Sequence, residues 1–422
     1  MSESKIGLID VSRMPVEQGV NRLISHAVDM PAGDLFYCTN ETNVTVGVRH
    51  LGIVYTIAVL PLETGRRHLA HIKAMSGLDV SEKRRPQDGR WIHKSDDGSM
   101  VDLRINMLPT LFGEDLALRL LARDKNLFPM DGLGLTSEQL AEVMSMLESP
   151  SGLILITGPT GSGKTATLYA CLSKLNDGKR RIHTIEDPVE FTVDGLRQSQ
   201  VNAAVDLNFA TLLRGVLRQS PDIIMIGEVR DVDTAETAVR AANSGHLVFA
   251  TIHAPVAAAG ILSMRALGIQ PHFLSTCLRG IIAQRLVRTL CPDCKTSYDL
   301  GIAPHTFDEV RQWLSPDEGK TFFAPRGCAR CHSTGYAGRT GVFEVLPVNR
   351  QIRSAIAEAR PTREIRHSAA EAKMLEFRQA ALLKVARGIT STEEIFRVIP
   401  SEHLIEGYEA APSPDPVKAY GE

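Results

Sequence analysis

The 422-residue sequence has few of the features that mark secreted, membrane-spanning or nucleic-acid-binding proteins. Its formal net charge is −2, so no overall basic field attracts nucleic acid. It lacks an apolar run long enough to span a bilayer, and its first residues lack the cationic and apolar segments of a secretory signal. We therefore expect a cytoplasmic protein that has no membrane span and does not bind nucleic acid.

Cysteine is sparse as well, with seven residues in the chain. In the cytoplasm such thiols stay reduced unless a metal binds them. Two C-x-x-C pairs, separated by residues 295–327, contain four of the seven: Cys291, Cys294, Cys328 and Cys331. Four thiolates saturate a tetrahedral ion, so this spacing predicts a structural zinc site, with chance pairs or redox dithiols as the alternatives.

A glycine-rich stretch is the strongest motif that the chain does contain. Residues 158–165 read GPTGSGKT, match G-x-x-x-x-G-K-[ST], and follow the apolar run 152–157. Glycines let backbone N–H groups surround a phosphate, the lysine reaches the β and γ phosphates, and the next hydroxyl, that of Thr165, binds Mg²⁺. We predict a nucleoside triphosphate site; the alternative is a glycine-rich turn that matches by chance. Its predicted residues are Gly158, Pro159, Thr160, Gly161, Ser162, Gly163, Lys164, Thr165 and Ala166.

Strands and helices alternate around this motif. The pattern predicts strands at 179–185, 223–226 and 247–252, and helices at 209–218 and 234–244. Such alternation with continuous apolar strands is typical of an α/β fold, with a buried parallel sheet and helices on both faces. Ligands bind such sheets at the carboxyl ends of the strands.

Titratable side chains follow the ends of these strands. Glu228 is placed to polarise the attacking water or to shape the Mg²⁺ shell. Glu186 and Asp187 are candidates to support Mg²⁺ or the water, and a cap or turn acid before Pro188 is the alternative. His253 is a candidate sensor of the γ-phosphate, with a buried core histidine as the alternative.

Changes in pattern divide the chain into regions. Amphipathic helices near 16–29 and 64–76, with strands between and after them, predict a compact α+β front domain. A Pro- and Gly-containing segment then predicts a hinge. The predicted regions are the front domain 1–120, the hinge 121–135, the phosphate-loop domain 136–290, the tetracysteine module 291–345, a helical region 346–399 and a disordered tail 400–422.

Together these motifs resemble the ATPases of type II secretion and type IV pilus assembly. The resemblance covers about residues 16–399 and implies a RecA-like ATPase domain after a PAS-like front domain, with ATP, Mg²⁺ and Zn²⁺ as cofactors. The matching segments are residues 83–90 and 103–114 of the front domain, the phosphate loop 158–165, the acidic box 184–191, the stretch 217–231, the histidine box 244–253 and the four cysteines.

The resemblance also implies roles for residues that spacing leaves open. Arg104 and Arg119 correspond to front-domain arginines that close on the nucleotide. Arg214 and Arg218 correspond to a nucleotide-binding pair on the helix before the Glu228 strand. His246 and His253 correspond to the pair of the histidine box, after which relatives usually carry Thr and Asn where this chain has Ala254 and Pro255.

The same resemblance implies a mechanical function. Members form homohexamers in which ATP hydrolysis moves an inner-membrane platform protein that adds subunits to a filament. The cysteines favour an extension ATPase over a retraction ATPase. Since the chain starts almost at its first helix, we expect it to lack the additional N-terminal domain with which many relatives dock at the membrane.

Two other functions are open to a phosphate-loop protein of this kind. A DNA-translocating hexamer would need a basic groove with interleaved aromatic residues, which the near-neutral composition argues against. A nucleotide-gated scaffold would not hydrolyse ATP, and the intact Lys164, Thr165 and Glu228 argue against it.

Overall fold

A computed structural model describes residues 7–94, 100–121, 129–299 and 305–404. The chain forms two compact units. Among the described residues, the first unit contains 7–121, 291–296 and 325–338, and the second contains 129–290, 297–299, 305–324 and 339–404. The two cysteine pairs therefore belong to the same unit as the front residues. Across these ranges no helix has the length and apolar character needed to cross a bilayer.

The first unit is built on an antiparallel six-stranded sheet in the order β3-β2-β1-β6-β5-β4. Its apolar face packs with the two helices to form one core. Strands β4 and β5 pair in antiparallel register, and residues 95–99 between them lie outside the described residues. The elements are α1 (Val16–Asp29), β1 (Ala32–Thr39), β2 (Asn43–His50), β3 (Ile53–Pro61), α2 (Leu62–Met75), β4 (Gln87–Lys94), β5 (Met100–Thr110) and β6 (Gly113–Leu121).

The second unit is built on a seven-stranded sheet in the order β15-β12-β7-β11-β10-β8-β9. From β12 to β9 each neighbouring pair of strands is parallel, which confirms the predicted α/β fold. Its elements are α3 (Ser137–Leu147), β7 (Gly152–Thr157), α4 (Lys164–Leu175), β8 (Ile182–Glu186), β9 (Leu196–Gln200), α5 (Phe209–Val216), β10 (Ile223–Ile226), α6 (Val232–Asn243), β11 (Leu247–Ile252), α7 (Ala259–Ala266), α8 (Pro271–Cys277), β12 (Leu278–Leu290), β13 (Thr296–Asp299), β14 (Thr321–Ala324), β15 (Tyr336–Pro347), α9 (Arg350–Ala357), α10 (Thr362–Glu371), α11 (Phe377–Ala386) and α12 (Thr392–Val398).

Strand β7 shows why this sheet is buried on both faces. Leu153 and Leu155 point into the core formed with α5 and α6, whereas Ile154 and Ile156 point into the core formed with α3 and α4. Successive side chains of a strand point to opposite faces, so an entirely apolar strand needs helices on both sides. The order of the strands then fixes which loops meet at the carboxyl edge.

Several boundaries differ from the sequence predictions. Residues 339–345 belong to the second unit, whose sheet β15 joins, although they were predicted to belong to the tetracysteine module. The cysteine spacing says nothing about where that module ends, and the second half of β15, residues 341–346, is buried in the cores of the second unit. Residues 401–403 form a 3-10 helix at the start of the predicted disordered tail. Residues 405–422 of that tail, and 122–128 of the predicted hinge, lie outside the described residues.

Candidate active site

The phosphate loop connects the end of β7 to the start of α4. The φ angles of Gly158, Gly161 and Gly163 are 149°, 77° and 88°, values that residues with a side chain rarely adopt. At Gly158 a Cβ atom would also lie 2.5 Å from the Gln284 carbonyl oxygen and 2.6 Å from Ser162 Oγ. The loop therefore requires glycine at this position both for its backbone angle and for space.

Lys164 lies at the first turn of α4 with its ammonium group over the loop. Nζ donates to the carbonyl oxygens of Gly158, at 2.8 Å, and Pro159, at 3.2 Å. Burial lowers the pKa of Lys164, and the nearby Glu228 carboxylate opposes that shift. Thr165 follows as the second helical residue and is half-buried. The ammonium and the hydroxyl are thus placed at a helix N-terminus, which favours phosphate binding.

The sheet order brings the candidate loops together. Strands β7, β11, β10 and β8 are consecutive neighbours, and Thr157 is level with Ile252 in the parallel register. The segments that follow these strands begin at Gly158, His253, Gly227 and Asp187. The strand ends named by sequence thus lie along one edge of the sheet.

Glu228 and His253 are in direct contact at this edge. His253 Nε2 lies 2.6 Å from Glu228 Oε1, and the Arg230 guanidinium donates to the other carboxylate oxygen. Burial favours the neutral form of Glu228, but the hydrogen bonds from Arg230 and His253 prevail and lower its pKa. The carboxylate is therefore ionised near neutral pH and suited to accept a hydrogen bond from a water molecule.

The sequence predictions did not include Arg230. Its pKa is raised first by the hydrogen bond and charge of Glu228, and in part by the charge of Asp187. Arg230 therefore lies near both acidic side chains. Its proximity to Glu228 could have been predicted from its position two residues later, because positions i and i+2 of an extended segment share a face.

Glu186 is buried at the end of β8. Its side chain is 3% exposed and accepts hydrogen bonds from Tyr169 Oη (2.5 Å), Thr184 Oγ1 (2.5 Å) and Gln198 Nε2 (3.1 Å). These bonds connect α4 and β9 to the end of β8, so the contacts favour a positioning role for Glu186. Asp187 is exposed at the same strand end.

Arg214, Arg218 and His246 lie near the opposite edge of the sheet. His246 precedes β11 and His253 follows it, so the strand separates them by roughly 20 Å at about 3.3 Å per residue. Arg214 lines a cavity of about 640 Å³ with Arg240 and Ser244, and Arg218 is exposed on the segment that leads into β10. Within one chain the structure does not bring these three residues to the phosphate loop.

Arg104 and Arg119 lie side by side in the first unit. They are directly opposite each other on β5 and β6, so both are on the same face of the sheet. Arg119 is exposed and forms an ion pair with Asp34 at 3.2 Å. The register continues through Arg90 on β4, which extends the row of arginines across the sheet.

The four predicted metal ligands come together. All four Sγ atoms lie within 4.8 Å of one another, and the pairs Cys291–Cys328, Cys294–Cys331 and Cys328–Cys331 are each 3.8 Å apart. A tetrahedral ion with metal–sulfur bonds of about 2.3 Å places its sulfurs about 3.8 Å apart. Backbone N–H groups of Gly327, Cys328 and Gly335 donate to the sulfurs, which favours thiolates. The cluster therefore fits a tetrahedral metal ion.

Two contacts support the loops from outside the sequence motifs. Gln284 on β12 donates from Nε2 to the Ser162 carbonyl oxygen at 2.7 Å. Thr157 Oγ1 donates to the Ala254 carbonyl oxygen and accepts from its N–H, at 2.9 and 2.7 Å. Because backbone atoms of Ala254 make this contact, it does not depend on the side chain at position 254.

Comparisons with known proteins identify the family. Type II secretion system protein E of Dickeya dadantii is 38% identical over 388 residues, which is 92% of this chain and 76% of that protein. The type IV pilus assembly ATPase PilB of Acinetobacter baylyi is 40% identical over 392 residues, 91% of this chain and 66% of PilB. The structure of the Legionella pneumophila ATPase DotB, at 20% identity, shares the fold with a TM-score of 0.69 over 93% of this chain and 98% of DotB. A family model described as type II/IV secretion system protein matches residues 10–397, so the chain belongs to this family.

Proposed function

We propose that this chain is an ATPase that drives assembly of a type IV pilus or a type II secretion pseudopilus. The observation that supports hydrolysis, rather than nucleotide binding alone, is the Glu228 carboxylate. It is ionised, is hydrogen-bonded to His253 and Arg230, and lies near Lys164. Phosphoryl transfer to water requires a bound triphosphate, an oriented water and neutralised charge. The side chains named here are of the types that serve these purposes.

Each residue then has a role in the reaction. Lys164 holds the β and γ phosphates, and the N–H groups of the phosphate loop hold the phosphate oxygens. Glu228 accepts a proton from the attacking water through a hydrogen bond, and His253 keeps that carboxylate in place and senses the γ-phosphate. Thr165 would hold Mg²⁺ with support from Asp187, and this ion would offset the charge of the triphosphate.

The complete site extends beyond one chain in this proposal. We assign Arg104 and Arg119 to the neutralisation of transition-state charge in a homohexamer, because they are paired on one sheet face. Arg214 and Arg218 would approach a nucleotide of another subunit, since they lie at the edge away from the phosphate loop of their own chain. The conformational change that accompanies ATP hydrolysis would act on an inner-membrane platform protein from the cytoplasmic side of the membrane.

We also assign zinc to the tetracysteine site. Its four thiol ligands are of the type that zinc prefers, and their sulfur separations match tetrahedral coordination. The ion would have a structural role, because four cysteines leave no coordination position for substrate.

The proposal is tested by measuring ATP turnover against protein concentration. We expect slow, Mg²⁺-dependent hydrolysis whose rate per chain rises as the chain oligomerises, and which DNA at low salt leaves unchanged. A flat rate from assembled oligomers would indicate a scaffold that does not hydrolyse ATP. Stimulation by DNA would indicate a translocase.

A further inference from the structure

The loop that carries His253 forms hydrogen bonds with residues of several other elements. This histidine loop, residues 253–258, connects β11 to α7. Thr157 on β7 holds both backbone groups of Ala254. Arg285 on β12 donates to the Pro255 carbonyl oxygen at 2.7 Å. The position of His253 against Glu228 therefore depends on residues outside the histidine box.

The innermost contact of this loop comes from β15. Glu344 Oε2 accepts the N–H of Ala257 at 2.9 Å, and its other oxygen accepts the N–H of Phe377 at 3.0 Å. Phe377 is the first residue of α11. Glu344 thus joins the histidine loop to the N-terminus of a helix in the C-terminal region.

Arg285 contacts both the histidine loop and the first residue of α11. Its guanidinium lies over the Phe377 ring, 5.0 Å from the centroid, while it donates to Pro255. The preceding residue, Gln284, donates to the phosphate loop. Two adjacent residues of β12 therefore contact the two loops between which the nucleotide phosphates are expected to bind.

Glu344 is a buried acid whose position costs folding free energy. The side chain is 3% exposed, and burial raises its pKa to about 7 although the two N–H donors act against this shift. Arg285, Arg366 and Glu376 are the charged groups that act on this site. An acid in such an environment costs folding free energy, and perturbed acids of this kind cluster at functional sites.

We propose that Glu344 is a positioning residue for ATP hydrolysis, which fixes the histidine loop so that His253 stays in hydrogen-bonding contact with Glu228. This inference rests on the proposed ATPase function. Glu344 acts through the loop and does not touch the substrate. Its second contact makes the start of α11 part of the same support, so displacement of α11 is transmitted to His253.

The test compares five full-length proteins: wild type, Glu344→Gln, Gln379→Ala, His253→Ala and the double variant that carries both His253→Ala and Glu344→Gln. The glutamine in the first variant would place an amide NH₂ group against one of the two backbone N–H donors. Gln379→Ala is the matched control, because it removes the capping contact of Gln379 with the Glu376 N–H at the same helix start without touching the histidine loop. Turnover, KM for ATP and the thermal midpoint are measured for each protein.

We expect Glu344→Gln to lower kcat about tenfold while KM changes less than twofold, since small displacements of catalytic groups mainly cost turnover. Gln379→Ala should keep kcat within twofold of wild type even if its thermal midpoint falls. In the His253→Ala background, adding Glu344→Gln should cost less than twofold, because the loop then has no histidine to position.

Three results would overturn the inference. One is a kcat for Glu344→Gln within twofold of wild type; the second is an equal loss in Gln379→Ala; the third is a full tenfold loss in the His253→Ala background. If Glu344→Gln does not fold, Glu344→Asp serves in its place, since the shorter carboxylate cannot reach both N–H groups. Absence of turnover in the wild type would instead contradict the proposed function.

Discussion

Replacing Thr157 by valine tests how the catalytic loops are supported. The side chain is fully buried at the end of β7, and its hydroxyl makes two short hydrogen bonds with the backbone of Ala254. Valine has nearly the same shape but no hydroxyl, so the N–H and the carbonyl of Ala254 would both lose this partner. Ala254 is itself 7% exposed, which leaves little access for water to replace it.

The expected loss follows from these two groups. Each buried backbone group left without a partner costs about 1–3 kcal/mol, so the loss of both should lower the unfolding free energy of the variant by roughly 2–6 kcal/mol. For a unit of this size, at about 2–4 °C per kcal/mol, that corresponds to a thermal midpoint lower by roughly 4–24 °C. Turnover should fall as well, because the residue after His253 is no longer fixed.

Differential scanning fluorimetry and an ATPase assay measure both effects. Thr157→Ser is the matched control, since serine keeps the hydroxyl and should retain turnover close to wild type. A Thr157→Val protein with the midpoint and kcat of wild type would refute the reasoning. Equal losses in the serine and valine variants would show that the methyl group, rather than the hydroxyl, is what matters.

Two further predictions concern the metal and the acid. Purified wild-type protein should contain about one zinc per chain. The Cys291→Ser variant should lose metal and thermal stability, because three thiolates bind zinc less well than four. Elemental analysis that finds full metal in a stable variant would contradict the zinc assignment. Arg230→Gln should raise the pKa of Glu228, because a hydrogen bond and a positive charge that lower it are removed. The acidic limb of its kcat/KM profile should then move to higher pH than in wild type, and an unchanged limb would show that Glu228 does not control it.

The sequence predicted those parts of the site that depend on local spacing. The phosphate loop, Glu228 and His253 follow strands whose apolar runs are unmistakable, and parallel strands bring their carboxyl ends to one edge. The family resemblance and the α/β fold drawn from these motifs are confirmed by the family match and the sheet.

Contacts between distant segments were beyond that reasoning. Thr157 ends β7 and Ala254 lies in the loop after β11, and no pattern in either segment predicts their pairing. Glu344 and Gln284 are polar residues in strands that contain other polar residues as well, so sequence alone does not distinguish these two positions from exposed ones. In the first unit, the rings of His50 and His332 pack 6.1 Å apart, an example of the long-range contacts that group the cysteines with the front residues.

The family resemblance implies site roles for residues at both ends of β10 and β11. His246 and His253 belong to one motif, but the whole of β11 lies between them, so they occupy opposite edges of the sheet. Arg214 and Arg218 similarly precede β10, whereas Glu228 follows it. In an α/β fold, whether a residue lies at the amino or the carboxyl end of a strand decides whether it can reach the ligand of its own chain.

Turnover by Glu228→Gln, measured beside ATP binding, tests the central claim most directly. Glutamine keeps the size of the side chain but removes the negative charge that orients the attacking water. We predict that the variant binds ATP with an affinity near that of wild type and hydrolyses it at least 100-fold more slowly, on the order of the loss expected for a residue that acts in proton transfer. Hydrolysis at the wild-type rate would contradict the assignment of Glu228 as the catalytic acid–base residue.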